Sequence, residues 1–251
     1  MINSVRRHTK LKVIAAVAAA LWLTSHNVPA AAVVASSSVK AVPLGMAANP
    51  ATRLLYVTHS GGNNVSVIDQ DSGVTVAKIA VGTSPAGVSV NPKTNTVYVA
   101  NQGSGDLSVI DGGNNAVTAT IPLDASPINV TVNPATGLVY VANRDSNSVS
   151  VVDGGTNAVV ATIPVSEGPL GMAVNGKTNR VYVTNQGSGS VSVIDGGSNT
   201  VVATISVEAD PVALVVNANA NRIYVGYLGS NRVSVVDGDS NTVVATRAVG
   251  G

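Results

Sequence analysis

Pro85 to Ser126 reads PAGVSVNPKTNTVYVANQGSGDLSVIDGGNNAVTATIPLDAS, and this stretch decides the fold. Its opening proline recurs as Pro43, Pro127, Pro169 and Pro211, 42 residues apart each time. Tyr98 recurs at the same step as Tyr56, Tyr140, Tyr182 and Tyr224. Asp111 recurs as Asp69, Asp153, Asp195 and Asp237. A fixed period of about 20 to 50 residues marks a solenoid, a propeller or an array. The repeats run 43–84, 85–126, 127–168, 169–210 and 211–251.

Each repeat divides into four strands, A to D. Gly87 to Val90 alternates and ends at Asn91-Pro92, which supplies turn chemistry. Thr96 to Ala100 is rich in Val and carries a Tyr, a strong strand signal. Asn101 to Gly105 breaks it. Leu107 to Ile110 alternates before the Asp111-Gly112-Gly113-Asn114 turn, and Ala116 to Ile121 forms the fourth strand. One such meander buries too little by itself, so neighbours must stack. The expected fold is all-β, a β-propeller of five 42-residue, four-stranded blades. No window carries sustained apolar spacing at i, i+3, i+4 and i+7, so a helical array fails. A β-helix has shorter coils.

The chain's 251 residues suffice for one sizeable core. It has no Cys, which removes disulfides, zinc–thiolate sites and thiol catalysis. Charged residues make up 11%, and four of the basic ones, Arg6, Arg7, Lys10 and Lys12, lie at the start. Beyond them, 10 Lys and Arg face 13 Asp and Glu, a balance of −3. No electrostatic case for nucleic acid arises, because that needs clustered Lys and Arg.

Residues 1–32 read as a secretory signal peptide. Val13 to Leu23 is an unbroken apolar run after the basic start, and small-residue cleavage patterns follow near 30–32. The run is too short to span a bilayer, which needs about 20 residues. Arg6-Arg7 also fits twin-arginine export, although Arg pairs are common in such leaders. The expectation is an exported protein in the periplasm, outside the cell or on its surface. Val33 to Pro43, VVASSSVKAVP, parallels VVATIPVSEGP at Val159 to Pro169, so the mature chain opens on an extra D-type strand.

Tyr182-Val183-Thr184-Asn185 spells YVTN, and Tyr98 to Asn101 and Tyr140 to Asn143 are close variants. With SVIDG at Ser192 to Gly196 and VVATI at Val201 to Ile205, the chain resembles the YVTN family of β-propeller repeat proteins over Val33 to Gly251. The resemblance is to bacterial periplasmic propellers and to the propeller parts of archaeal surface-layer proteins. It implies binding or surface roles. Members often carry seven blades; this chain has five repeats.

Repetition also filters residues. The repeated Tyr is read as blade packing, and the repeated Asp as a turn residue whose carboxylate accepts backbone N–H bonds. Asp69-Gln70-Asp71 and Asp237-Gly238-Asp239 faintly resemble a calcium loop but lack the full ligand series. Antiparallel order puts the A–B and C–D turns on one face and the B–C and D–A loops on the other. The first face is nearly uniform. The second varies, and function tends to ride on loops held by a rigid scaffold. The candidate ligand-binding residues there are His59, Gln102, Arg144, Asp145, Gln186 and Tyr227 from the B–C loops. The D–A loops add Asp124, Glu167, Glu208 and Asp210. A plain solvated rim is the competing reading.

For catalysis the inventory is thin. His59 is the only His beyond the leader, so one chain cannot build a multi-His metal site. No Gly-x-Ser-x-Gly elbow occurs. No catalytic residue, metal site or cofactor is expected. The reading is a secreted or periplasmic, non-enzymatic binding or cell-surface protein whose partner is an unknown protein or envelope component. The alternative is a metal-assisted lactonase or lyase using the variable-face carboxylates, by analogy of fold. A third reading is a structural piece of an envelope assembly.

The end repeats are atypical. Strand D carries Ile79, Ile121, Ile163 and Ile205, then Arg247. The slot of Asn101, Asn143 and Asn185 holds His59 in the first repeat and Tyr227 in the last. These changes favour a closed ring with His59 and Tyr227 at one seam. The alternative, favoured by the extra D-type strand, is an open arc that forms a homodimer.

Overall fold

The computed structural model describes residues 42–250. The expected signal peptide, residues 1–32, and most of the Val33 to Pro43 fragment lie outside the described residues. Five antiparallel four-stranded sheets follow one another along the chain. The first holds β1 (Pro43–Asn49), β2 (Leu54–His59), β3 (Asn64–Asp69) and β4 (Thr75–Ala80). The second holds β5 (Pro85–Asn91), β6 (Thr96–Asn101), β7 (Asp106–Asp111) and β8 (Ala116–Pro122). The third holds β9 (Pro127–Val132), β10 (Leu138–Asn143), β11 (Ser148–Asp153) and β12 (Ala158–Pro164). The fourth holds β13 (Pro169–Asn175), β14 (Arg180–Asn185), β15 (Ser190–Asp195) and β16 (Thr200–Ser206). The fifth holds β17 (Pro211–Asn217), β18 (Arg222–Tyr227), β19 (Arg232–Asp237) and β20 (Thr242–Ala248). These are the blades of a β-propeller, and no helix occurs among the described residues.

The turns explain why so regular a chain folds this way. In the second blade Asn95, Gly105, Asn115 and Ser126 have φ of 53°, 69°, 57° and 61°, one residue per turn. The left-handed region is tolerated by Gly and by Asn, whose short side chain bonds locally. The same positions recur in the first, third and fourth blades, so Asn179, Gly189, Asn199 and Asp210 do this in the fourth. The repeat is thus a repeat of turn chemistry as well as of strands.

Blades meet through their first strands, with β1 beside β5, β5 beside β9, β9 beside β13 and β13 beside β17. Close approach is built in: a Cβ on Gly87 of β5 would stand 2.7 Å from Asn129 Cα of β9. Four apolar clusters fill the four seams. The first joins Tyr56, Val65, Val67 and Ile79 to Val88, Val97, Val99 and Ile110 of the next blade. Tyr98, Tyr140 and Tyr182 play the same part in the second, third and fourth seams. The four tyrosines are at most 1% exposed.

Among the described residues no such cluster joins the fifth blade to the first, so the five described blades form an open arc. This corrects the preference for a closed ring. The faces at the two ends show why. No described blade covers Tyr224, which is 36% exposed, and Met46 on the flank of the first blade is 54% exposed. Arg247 is exposed where Ile79, Ile121, Ile163 and Ile205 are buried. His59 and Tyr227 sit in the first and last blades and share no seam.

Candidate functional site

The uniform face is occupied by its own structure. The amides of Ser198 and Gly197 each donate to Asp195 Oδ1 at 2.8 Å. These bonds favour the charged form and hold the carboxyl below the ordinary aspartate range. Asp69, Asp153 and Asp237 are lowered by the same backbone bonds in their own turns. Arg180 pairs with Asp195 at 2.8 Å and Arg222 with Asp237 at 2.7 Å. Arg53 pairs with Asp71, and Asn221 Nδ2 donates to Asp239 Oδ1 at 2.8 Å. The acidic pairs that resemble a calcium loop are therefore engaged in turns and with neighbouring side chains. Asn residues also cross the seams here: Asn49 Nδ2 donates to Asn95 Oδ1 at 2.7 Å, and Asn175 Nδ2 to Asn221 Oδ1 at 2.8 Å.

On the variable face, the slot that the sequence reading gave to the loops belongs to the sheet. Asn101 Nδ2 donates to Ser108 Oγ at 2.8 Å, Asn143 Nδ2 to Ser150 Oγ at 2.8 Å and Asn185 Nδ2 to Ser192 Oγ at 2.9 Å. This bond pins the end of strand B to strand C and buries the carboxamide. His59 occupies the slot in the first blade, with Nε2 2.9 Å from Ser66 Oγ. Tyr227 occupies it in the last and packs in the fourth seam. Both candidates are strand-terminal and buried, 2% and 8% exposed, rather than presented on loops.

Three other candidates are engaged within the chain. Gln102 Nε2 donates to Ser126 Oγ at 3.0 Å, and Ser148 Oγ donates to Asp124 Oδ2 at 3.2 Å. Glu208 pairs with Arg232 at 3.0 Å.

The remaining five come together. Arg144, Asp145, Glu167, Gln186 and Asp210 line one cleft of about 510 Å³ between the third and fourth blades, with Asn147, Gly168 and Gly187. Arg144 Nη2 donates to Gln186 Oε1 at 3.1 Å and so spans the seam. Asn147 Oδ1 accepts from the Gly168 amide at 2.9 Å, and the Gln186 amide donates to the Gly168 carbonyl at 2.8 Å, fixing the loop backbones. The cleft is open to solvent and polar, with Asp145, Glu167 and Asp210 exposed around it.

Comparison with the other repeats sharpens the cleft. The slot of Asp145 is Gly61, Gly103, Gly187 and Gly229 elsewhere. The slot of Glu167 is Thr83, Ala125 and Ala209; that of Asp210 is Ser84, Ser126 and Gly168. The slot of Arg144 is Ser60, Gln102, Gln186 and Leu228. Four positions each change from a neutral residue to a charged one in a single repeat, and all four changes line the same cleft. The signal was present in the sequence as departure from the repeat, but only the seam geometry shows that the departures meet. Among the described residues no group of three or more His, Cys, Asp or Glu is placed to hold a metal ion. No helix among them is long and apolar enough to cross a membrane.

A family model described as a YNCE-like beta-propeller matches residues 12–238. No curated protein is significantly similar in sequence. Among solved structures, a chain of Kuenenia stuttgartiensis hydrazine synthase is similar at 22% identity and a TM-score of 0.73. The match covers 82% of this chain and 66% of that one, so the chain spans just under two thirds of its length. A functionally unknown protein from Desulfotomaculum acetoxidans is similar at 16% identity and a TM-score of 0.74, over 85% of this chain and 72% of that one. At these identities the likeness carries the fold and not a function.

Proposed function

The chain belongs to the YNCE-like beta-propeller family, and from that premise we propose that it is an exported, non-enzymatic binding protein of the YVTN repeat type. Its ligand is a small polar molecule held in the cleft between the third and fourth blades. One observation carries this reading: four of the charged departures from the repeat, Arg144, Asp145, Glu167 and Asp210, line a single cleft. Other charged departures, such as Arg53, Lys78 and Arg247, lie apart from one another on the first and last blades. The YVTN-type motifs and the basic, apolar, small-residue leader support the family type and the export. The metal-assisted lactonase or lyase reading has no such support, because the carboxylates of the variable face divide between the cleft and internal partners.

The test is a thermal-shift survey of the mature protein against amino acids, polyamines, organic acids and sugars. It is run beside the double variant Arg144→Gln, Asp210→Asn. At least one compound is expected to raise the melting temperature of the parent protein and not of the variant. A survey with no compound behaving this way overturns the reading.

A further inference from the structure

The charges of the cleft also indicate what it holds, on the premise that it is a binding site. Asp145, Glu167 and Asp210 bring three carboxylates, and Arg144 a single guanidinium. Among the described residues none of the three carboxylates makes a hydrogen bond or ion pair, and Arg144 forms no ion pair with any of them. The guanidinium donates only to the neutral amide of Gln186. Opposite charges lining one concavity without pairing leave both signs available to a ligand. This contrasts with Asp124 and Glu208 on the same face, which are engaged within the chain.

We propose that the cleft binds an α-amino acid with a cationic side chain, either free or as the C-terminal residue of a peptide. Such a ligand has one carboxylate and one or two cationic groups. The carboxylate matches the planar fork of Arg144, which retains donors for bidentate bonding. The cationic groups face Asp145, Glu167 and Asp210. A diamine lacking a carboxylate would set a like charge against Arg144. A dicarboxylate would satisfy Arg144 and face three like charges. Charge complementarity therefore selects the basic amino acid over both.

Isothermal titration calorimetry of the mature protein tests this, with L-lysine, cadaverine, L-glutamate and the tripeptide Ala-Ala-Lys as probes. L-lysine is expected to bind, cadaverine about tenfold or more weakly, and L-glutamate not detectably. Arg144→Gln should reduce the affinity for L-lysine to about that for cadaverine, and Asp210→Asn should weaken L-lysine about tenfold. Both substitutions lie on loop side chains outside the seam clusters, and circular dichroism confirms that each variant is folded. Tighter binding of the tripeptide than of L-lysine assigns the peptide source, and the reverse assigns the free amino acid. The proposal is overturned if L-glutamate or cadaverine binds as tightly as L-lysine. Unchanged affinity in folded Arg144→Gln, or no binding of either lysine probe, overturns it as well. If L-lysine fails while another surveyed compound loses its effect in the double variant, the ligand class falls and the binding reading stands. If no compound responds, both fall.

Discussion

Tyr182 and Tyr224 occupy the same slot of adjacent repeats, in the same strand, each followed by a Val. Tyr182 is fully buried because β17 and β18 of the next blade close over it; Tyr224 is 36% exposed because nothing described follows it. The difference teaches that the tyrosine is a seam residue rather than a blade residue. Its contribution depends on a neighbour that the repeat itself does not supply. The arc therefore has a stabilised middle and two flanks that keep apolar side chains in partial contact with water.

The largest effect expected from this contrast is on stability. Tyr182→Ala should cost about 3–5 kcal/mol, as other buried aromatic truncations do. Tyr224→Ala should cost no more than about 1 kcal/mol. Chemical denaturation of the two variants checks this. Equal losses would show that the last blade's free flank is covered in solution, and sedimentation of the mature protein would then reveal whether a second chain covers it.

A smaller effect probes the seams from the other side. A Cβ on Gly154 would stand 2.5 Å from Tyr98 Oη and 2.7 Å from the Gly137 carbonyl oxygen. Gly154→Ala therefore forces the third blade away from the second and should cost about 1–3 kcal/mol. On the first blade the equivalent slot already holds Gln70, whose amide bonds the Arg53 carbonyl at 3.0 Å. No preceding tyrosine needs room there, so Gln70→Gly should stay within about 0.5 kcal/mol. A large loss in Gln70→Gly would break the comparison by showing that the leading flank carries a seam. Asn185→Ala removes the two bonds to Ser190 and Ser192 from a buried strand end. It should cost about 1–3 kcal/mol in the same assay.

These contrasts show where the sequence was legible. The period placed the 20 described strands, because turn residues, β-branched runs and the repeated Tyr all agree at one spacing. The uniform face was legible too: an Asp before Gly is a local device, and the amides that bind Asp195 lie within three residues of it. The end of strand B was not. Asn101 looked like a loop residue because Gly103 and Gly105 follow, yet its partner Ser108 lies seven residues on, across the sheet. The same spacing joins His59 to Ser66, Asn143 to Ser150 and Asn185 to Ser192, so the pairing had a sequence signature. Closure was illegible for a physical reason. Arg247 and Gln70 adapt an end to water whether that end lies in a ring with a loose seam or in an open arc. The cleft was half legible: its five residues were candidates, but so were five others that the chain engages elsewhere.

The smallest predicted effect is the one that should not distinguish middle from flank. The turn aspartates bond to amides of their own turns, so Asp195 in the fourth blade and Asp237 in the last share one chemistry. Both carboxyls are lowered chiefly by backbone amides, with Arg180 and Arg222 as lesser causes. A depressed folded value means that the stabilisation is present above the unfolded aspartate value of about 3.9 and is lost as pH falls through the folded value. Asp195→Asn and Asp237→Asn should therefore lower the melting temperature modestly at pH 7. Each deficit should shrink as pH drops below about 4, where the parent protein loses the same charge. The two deficits should be alike, since neither depends on a neighbouring blade. Melting curves at pH 7 and pH 3 read both points. A deficit in Asp195→Asn that persists unchanged at low pH would mean that the charge is not what the turn uses. A deficit confined to Asp195→Asn would mean that the turns, like the tyrosines, draw their stability from the seams.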